Sequence, residues 1–167
     1  MKLKACAVFA LIIVVSLILS LSCTPSCPEI GSKAPDFTLA TTKGESISLA
    51  GLTGSKVMVN LWSCRCGPCV SEMPHIQAIY EKWSDKGVKV LAVNVGDNAK
   101  TAQEFASENG FTFPILIDSK MQLFKLYCLQ QVIPITLFID AEGNLQAKKL
   151  GAFSSEAEIE NYLNSLQ

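Results

Sequence analysis

Charge is scarce in this 167-residue sequence, and basic charge has no surplus. Only 17% of residues are Asp, Glu, Lys or Arg, with formal net charge −1, a single arginine (Arg65) and a single histidine (His75). Soluble domains typically carry about 25% charged residues. No basic run occurs in the body of the chain, so a nucleic-acid partner is disfavoured. With only 10 glycines, a collagen-like repeat is excluded. No internal repeat or low-complexity stretch is present in the body, which argues against a solenoid. What is abundant is apolar: 49% of residues are hydrophobic, too many for a disordered chain. The length suits one domain.

Part of that apolar excess sits at the start. Lys2 and Lys4 precede Ala5 to Leu21, an uncharged run that ends in Leu19-Ser20-Leu21-Ser22-Cys23. A basic start followed by an apolar stretch and small residues is the pattern of an export segment, close to the minimum of about 17 residues that span a membrane. The final residues are similar to a bacterial lipobox, although Ser20 stands where leucine or valine is usual. Residues 1–22 are therefore expected to be a signal or anchor, with Cys23 as the lipidation candidate. Residues 23–31, containing Thr24-Pro25-Ser26-Cys27-Pro28, are expected to form a short tether, and 32–167 the folded domain. Either use of the segment places that domain outside the cytoplasm and attached to a membrane. Without Lys2 and Lys4 the remaining chain carries 12 basic and 15 acidic residues, a net charge of −3, that of an ordinary mildly acidic domain.

The body alternates strand-like and helix-like segments. Ala34–Leu39 is expected as a loop entering a short strand, and Glu45–Leu49 as a second short strand. Lys56–Trp62 and Val88–Val95 are apolar runs of the kind buried on both faces of a sheet. Val70, Met73, Ile76, Ile79, Tyr80 and Trp83 recur at helical spacing. Thr101–Asn109 predicts a helix stopped at Gly110, and Pro114–Asp118 a short strand. Thr136–Asp140 and Leu145–Leu150 predict strands joined by a hairpin turn. Ser154 opens a last helix with Glu156, Glu158 and Glu160 near its start, where the helix dipole favours acids. Such an order indicates an α/β domain with a mixed sheet.

Of the seven cysteines, Cys64, Cys66, Cys69 and Cys128 lie in the body. Three fall within Trp62-Ser63-Cys64-Arg65-Cys66-Gly67-Pro68-Cys69, where a buried strand ends and a helix begins. Free N–H groups and the positive end of the helix dipole point at the first turn of that helix. They lower the pKa of a thiol placed there below its usual value of about 8.5. Proline is tolerated at that turn. Cys66 is expected to be the exposed attacking thiol and Cys69 the shielded thiol that resolves a mixed disulfide. Two other uses compete. A zinc site needs four ligands, and the spare donors are Cys64, Cys128 and His75. A structural disulfide across two residues would constrain the unfolded chain little. Redox chemistry is the favoured reading.

Trp62 to Pro74, WSCRCGPCVSEMP, resembles the active-site segment of the thioredoxin superfamily, and more narrowly that of the TlpA/ResA-like extracytoplasmic thiol-disulfide oxidoreductases. Gly31–Leu39 resembles the entry motif of that family, and Val132–Asp140 its cis-proline loop and following strand. The resemblance covers residues 31–167. It implies a thioredoxin-like three-layer α/β/α fold with a mixed central sheet and a short N-terminal β extension. It further implies a catalytic set of Cys66, Cys69, Glu72 and Pro134, with Glu72 exchanging a proton with the resolving thiol. Trp62, Arg65, Gly67, Pro68 and Ile133 are implied as substrate contacts. The Cys66–Cys69 pair is its own redox centre, with no separate cofactor or metal. The implied partners are disulfide-bearing exported proteins, apocytochrome c among them, and a transmembrane thiol donor that re-reduces the pair.

Two departures stand out. Arg65 occupies a position that is usually aromatic, and its guanidinium is expected to stabilise the Cys66 thiolate. Cys64 replaces a usual Thr or Ser and is expected to behave as a small buried apolar residue. Cys128 is expected to be a packing residue, and His75 a surface or boundary residue. Two further classes use related folds. A peroxiredoxin-like thiol peroxidase needs an arginine at its attacking cysteine, and a Sco-type copper chaperone needs CXXXC and a distant histidine.

Overall fold

The two most apolar runs of the body form the centre of the sheet. Lys56–Trp62 (β3) and Val88–Asn94 (β4) pair in parallel from Lys56↔Val88 to Trp62↔Asn94. Strands covered on both faces need no polar side, which explains their near-continuous hydrophobicity. This computed structural model describes residues 27–166; the expected export segment and Cys23 lie outside the described residues.

Ile115–Ile117 (β5) adds in parallel beside β4. On the other side of β3, Ile135–Ile139 (β6) pairs antiparallel and turns back into Leu145–Leu150 (β7). Thr38–Thr41 (β1) and Ser46–Ser48 (β2) extend the β5 edge, giving the order β2-β1-β5-β4-β3-β6-β7. Gly67–Trp83 (α1) and Ala99–Glu108 (α2) make the crossovers that parallel neighbours require. Gln122–Leu126 (α3) and Glu156–Ser165 (α4) complete the helices among the described residues.

Strand periodicity divides the core in two. Met58, Trp62 and Phe138 point to the face covered by Met73, Ile76 and Ile79 of α1, Ala102 and Ala106 of α2, and Ile159 and Leu163 of α4. Val57, Val59, Leu61, Ile135, Leu137 and Ile139 point to the opposite face, covered by Leu123 and Phe124 of α3 and by Phe37, Leu39 and Tyr127. Asn60, Thr136 and Glu72 are buried polar residues in this framework.

The strands and longer helices follow the sequence expectations, while α3 is an addition. At five residues it is too short to show a helical period. Its start is set by buried Asp118, whose carboxylate accepts from Gln122 N and Leu123 N, both at 2.9 Å. Cys128 is a correction. It is not a packing thiol but is joined to Cys27 by a disulfide across 101 residues of sequence. The described part of the expected tether is likewise held to the body. Gly31 N donates to the Leu145 carbonyl at 2.7 Å and Lys148 Nζ to the Pro28 carbonyl at 3.2 Å. Among the described residues no helix is long and apolar enough to cross a membrane.

Candidate active site

β3 runs out at Trp62, and the turn Ser63–Cys66 delivers the chain to α1. Cys66 is the N-cap of that helix, with extended backbone, and Pro68 occupies the first turn. The Cys66 sulfur accepts from Cys69 N at 3.2 Å, so it takes one of the helix's free amide donors. Cys66 and Cys69 are joined as a disulfide. The two sulfurs have different surroundings: Cys66 is half-buried, whereas Cys69 has 0% exposure. Attack from outside can therefore reach only Cys66.

The loop before β6 faces this sulfur. The Ile133 carbonyl oxygen lies 3.7 Å from Cys66 Sγ, and the Ile133–Pro134 bond is cis. Pro134 is buried, Ile133 half-buried and Val132 45% exposed. Arg65, Gly67 and Pro68 are exposed on the other side of the sulfur. Val132, two residues before Pro134, was not among the expected site residues; it exposes apolar surface on this loop. Trp62 is a correction to the expected substrate contacts. It has no exposed surface and packs against Phe105 with ring centroids 5.6 Å apart, so it supports the turn from below.

Glu72 lies one helical turn beyond Cys69 on the same face of α1, which carries its side chain into the core. Its Oε1 accepts from Asn60 Nδ2 at 2.8 Å and its Oε2 from the Phe153 N–H at 2.8 Å. Asn60 Nδ2 also donates to Thr136 Oγ1 at 3.0 Å, as expected for register partners on β3 and β6. Burial pushes the Glu72 carboxyl above the usual carboxylate range, and the two hydrogen bonds pull part of the way back. Such a group can take or release a proton inside the core. Asn60 and Thr136 were missed as site residues. The available signal was a polar residue inside the apolar run VMVNLW.

Arg65 is a further correction. Its guanidinium turns away from the sulfur, toward the loop after β4. Nη2 donates to the Gly96 carbonyl at 3.0 Å and Nε lies 3.5 Å from Asp97 Oδ1. Asp97 also accepts at Oδ2 from Ser63 Oγ at 2.9 Å, Cys64 N at 2.8 Å and Asn94 Nδ2 at 3.0 Å. The expected cation beside the thiolate is thus paired with a carboxylate instead. No sequence signal pointed to Asp97, because only the β3–β4 pairing brings it to the turn. His75 is half-buried on α1. Among the described residues no three His, Cys, Asp or Glu side chains gather as a metal-binding group.

Residues 30–148 match the AhpC/TSA family. The chain is 37% identical over 138 residues to the thiol-disulfide oxidoreductase ResA of Geobacillus kaustophilus (strain HTA426), covering 83% of this chain and 78% of that one. A Chlorobium tepidum crystal structure assigned to a thiol:disulfide interchange protein, DsbE, superposes with a TM-score of 0.76 at 28% identity, covering 83% of this chain and 98% of that one. The crystal structure of StoA from Bacillus subtilis gives 0.67 at 28% identity, covering 78% and 97%. The chain therefore belongs to the AhpC/TSA family, and within it to the thioredoxin-like thiol-disulfide oxidoreductases of ResA type.

Proposed function

We propose that this oxidoreductase reduces disulfides of exported proteins while tethered to the outer side of a bacterial cell membrane. The observation that carries the reading is the asymmetry of the pair: a half-exposed sulfur at a helix N-terminus and a fully buried partner. In the reduced enzyme the Cys66 thiolate attacks a substrate disulfide, a mixed disulfide forms and one substrate thiolate leaves. Cys69 then attacks Cys66 Sγ, releasing the second substrate thiol and leaving the enzyme as the Cys66–Cys69 disulfide. Two electrons pass from enzyme to substrate, and Glu72 takes the proton that Cys69 gives up. The pair needs no further cofactor. Arg65, Gly67, Pro68 and Ile133 form the substrate-facing surface, with the Ile133 backbone available to an extended chain, and Pro134 limits access of a metal to the thiols. The resemblance to the TlpA/ResA-like family makes an apocytochrome c a candidate substrate, and a transmembrane thiol donor would return the pair to its reduced form.

The other two classes find less support. A thiol peroxidase needs an arginine at the attacking sulfur, and Arg65 is bonded to Asp97 and Gly96. A copper chaperone would bind copper through the reduced thiols, which titration of the reduced protein would detect.

The reduction potential tests the direction of transfer. A value near that of thioredoxin, about −270 mV, is expected; one near that of DsbA, about −120 mV, would make the protein an oxidant. Fatty-acid labelling that disappears in Cys23→Ala, with the protein in the membrane fraction, is the expected result for the tether. Intact protein in the cytosolic fraction would overturn that part.

A further inference from the structure

The turn before α1 holds a third thiol that the exchange reaction does not use. Cys64 is half-buried, packs against the core and is the one free cysteine among the described residues. It is separated from Cys66 only by Arg65. An unrestrained thiol at that position would compete with Cys66 for substrate. It would also attack the enzyme's own disulfide, forming a bond to Cys66 and releasing Cys69 as a thiolate, with no net oxidation.

We propose that Asp97 is a positioning residue that keeps Cys64 out of thiol-disulfide exchange, so that the Cys64-Arg65-Cys66 segment presents a single nucleophile. The geometry is one-sided. The Asp97 side chain is only 4% exposed, and it is fixed by donors from Ser63, Cys64 and Asn94 and by the Arg65 guanidinium. Its Oδ2 accepts the Cys64 N–H, and the Asn94 amide nitrogen bonded to the same oxygen lies 3.9 Å from Cys64 Sγ. The charged groups facing Cys64 are this carboxylate, from the loop after β4, and Arg65, which is paired with the carboxylate. Cys66, by contrast, meets an N–H of α1. The two cysteines flanking Arg65 therefore sit in opposite fields, one beside a fixed anion and one at the positive end of a helix. Burial first, then the Asp97 charge and its hydrogen bond, push the Cys64 thiol up to about 11, while the Asn94 amide acts in the opposite sense.

The proposal rests on Cys66 being the attacking thiol, but its test does not use substrate turnover. The full-length protein, oxidised so that Cys66 and Cys69 are joined, is alkylated with iodoacetamide between about pH 7 and about pH 10, where thiolate fraction sets the rate. Mass spectrometry of the peptide carrying Cys64 gives the rate at that residue alone. In the unsubstituted protein the rate should climb across the whole range without levelling. In Asp97→Asn the rate near pH 8 should rise roughly tenfold, since one pKa unit is a tenfold change in thiolate, and the profile should begin to bend over near about pH 10. Asp97→Glu, which keeps the charge, should show neither the tenfold rise nor the bend. An unsubstituted profile that levels near the ordinary thiol value would overturn the proposal without any variant. So would an Asp97→Asn profile that is unchanged, or one displaced upward with no bend near about pH 10, which would indicate a loosened turn. Oxidised glutathione gives a second readout. Cys64 thiolate would attack its disulfide and release one glutathione thiol, and the adduct at Cys64 should form faster in Asp97→Asn alone; equal rates in both proteins would contradict the proposal.

Discussion

Glu72 carries a titratable carboxyl to a place where water does not reach. The folded protein holds its proton more tightly than the unfolded chain, because burial raises its pKa above the ordinary 4.5. Stability through this group is therefore fully present below 4.5 and is lost as pH rises through the raised folded value. Urea unfolding of the protein and of Glu72→Gln should show this directly. The protein's stability relative to the variant should be greatest at the acid end and should fall as pH rises; a constant gap would mean that the carboxyl does not titrate differently on folding. The same substitution should slow turnover by roughly 10²-fold, the scale of one general acid or base, while Cys66 still forms mixed disulfides in a single-turnover assay. Glu72 was singled out because its place three residues after Cys69 resembles that of a glutamate in the family; spacing alone puts it on the same helix face and gives it no role. Arg65 was misread because adjacency along the chain does not say which way a long side chain turns, and the carboxylate that captures it lies on another strand's loop.

At the scale of elements, helix ends place the chemistry. The N-terminus of α1 receives Cys66, and the apolar run of β3 followed by Gly67-Pro68 made that junction readable. The start of α3 left no comparable trace. Five residues complete little more than one turn, so no amphipathic period exists to detect, and a carboxylate four residues before Gln122 does the capping. Asp118 is buried, and both of its oxygens accept backbone N–H groups in that role. Asp118→Ala should therefore lower stability by about 1–2 kcal/mol, the upper part of the range for lost caps, read as a drop in the urea midpoint at unchanged slope. A loss below a few tenths of a kcal/mol would mean that α3 is held by Leu123 and Phe124 packing alone.

Across the whole molecule, the strands and longer helices were legible because strand and helix periods are local signals, whereas the order in which the strands pair is set by long-range contacts. The Cys27–Cys128 bridge was not legible either, since cysteine pairing cannot be deduced from spacing and Cys27 lies in a proline-containing segment that reads as a tether. The bridge closes a loop of 101 residues, and disulfides typically contribute about 2–4 kcal/mol. Cys27→Ser and Cys128→Ser should each cost about that much, and the double variant no more than either alone, as residues acting as one unit do. Additive losses would show that the two cysteines act separately. The central claim is the division of labour between Cys66 and Cys69, and trapping tests it most directly. Incubated with a disulfide-bearing protein, Cys69→Ser should accumulate a mixed disulfide through Cys66, because the resolving thiol is gone, while Cys66→Ser should trap nothing. Trapping by Cys66→Ser and not by Cys69→Ser would contradict the assignment.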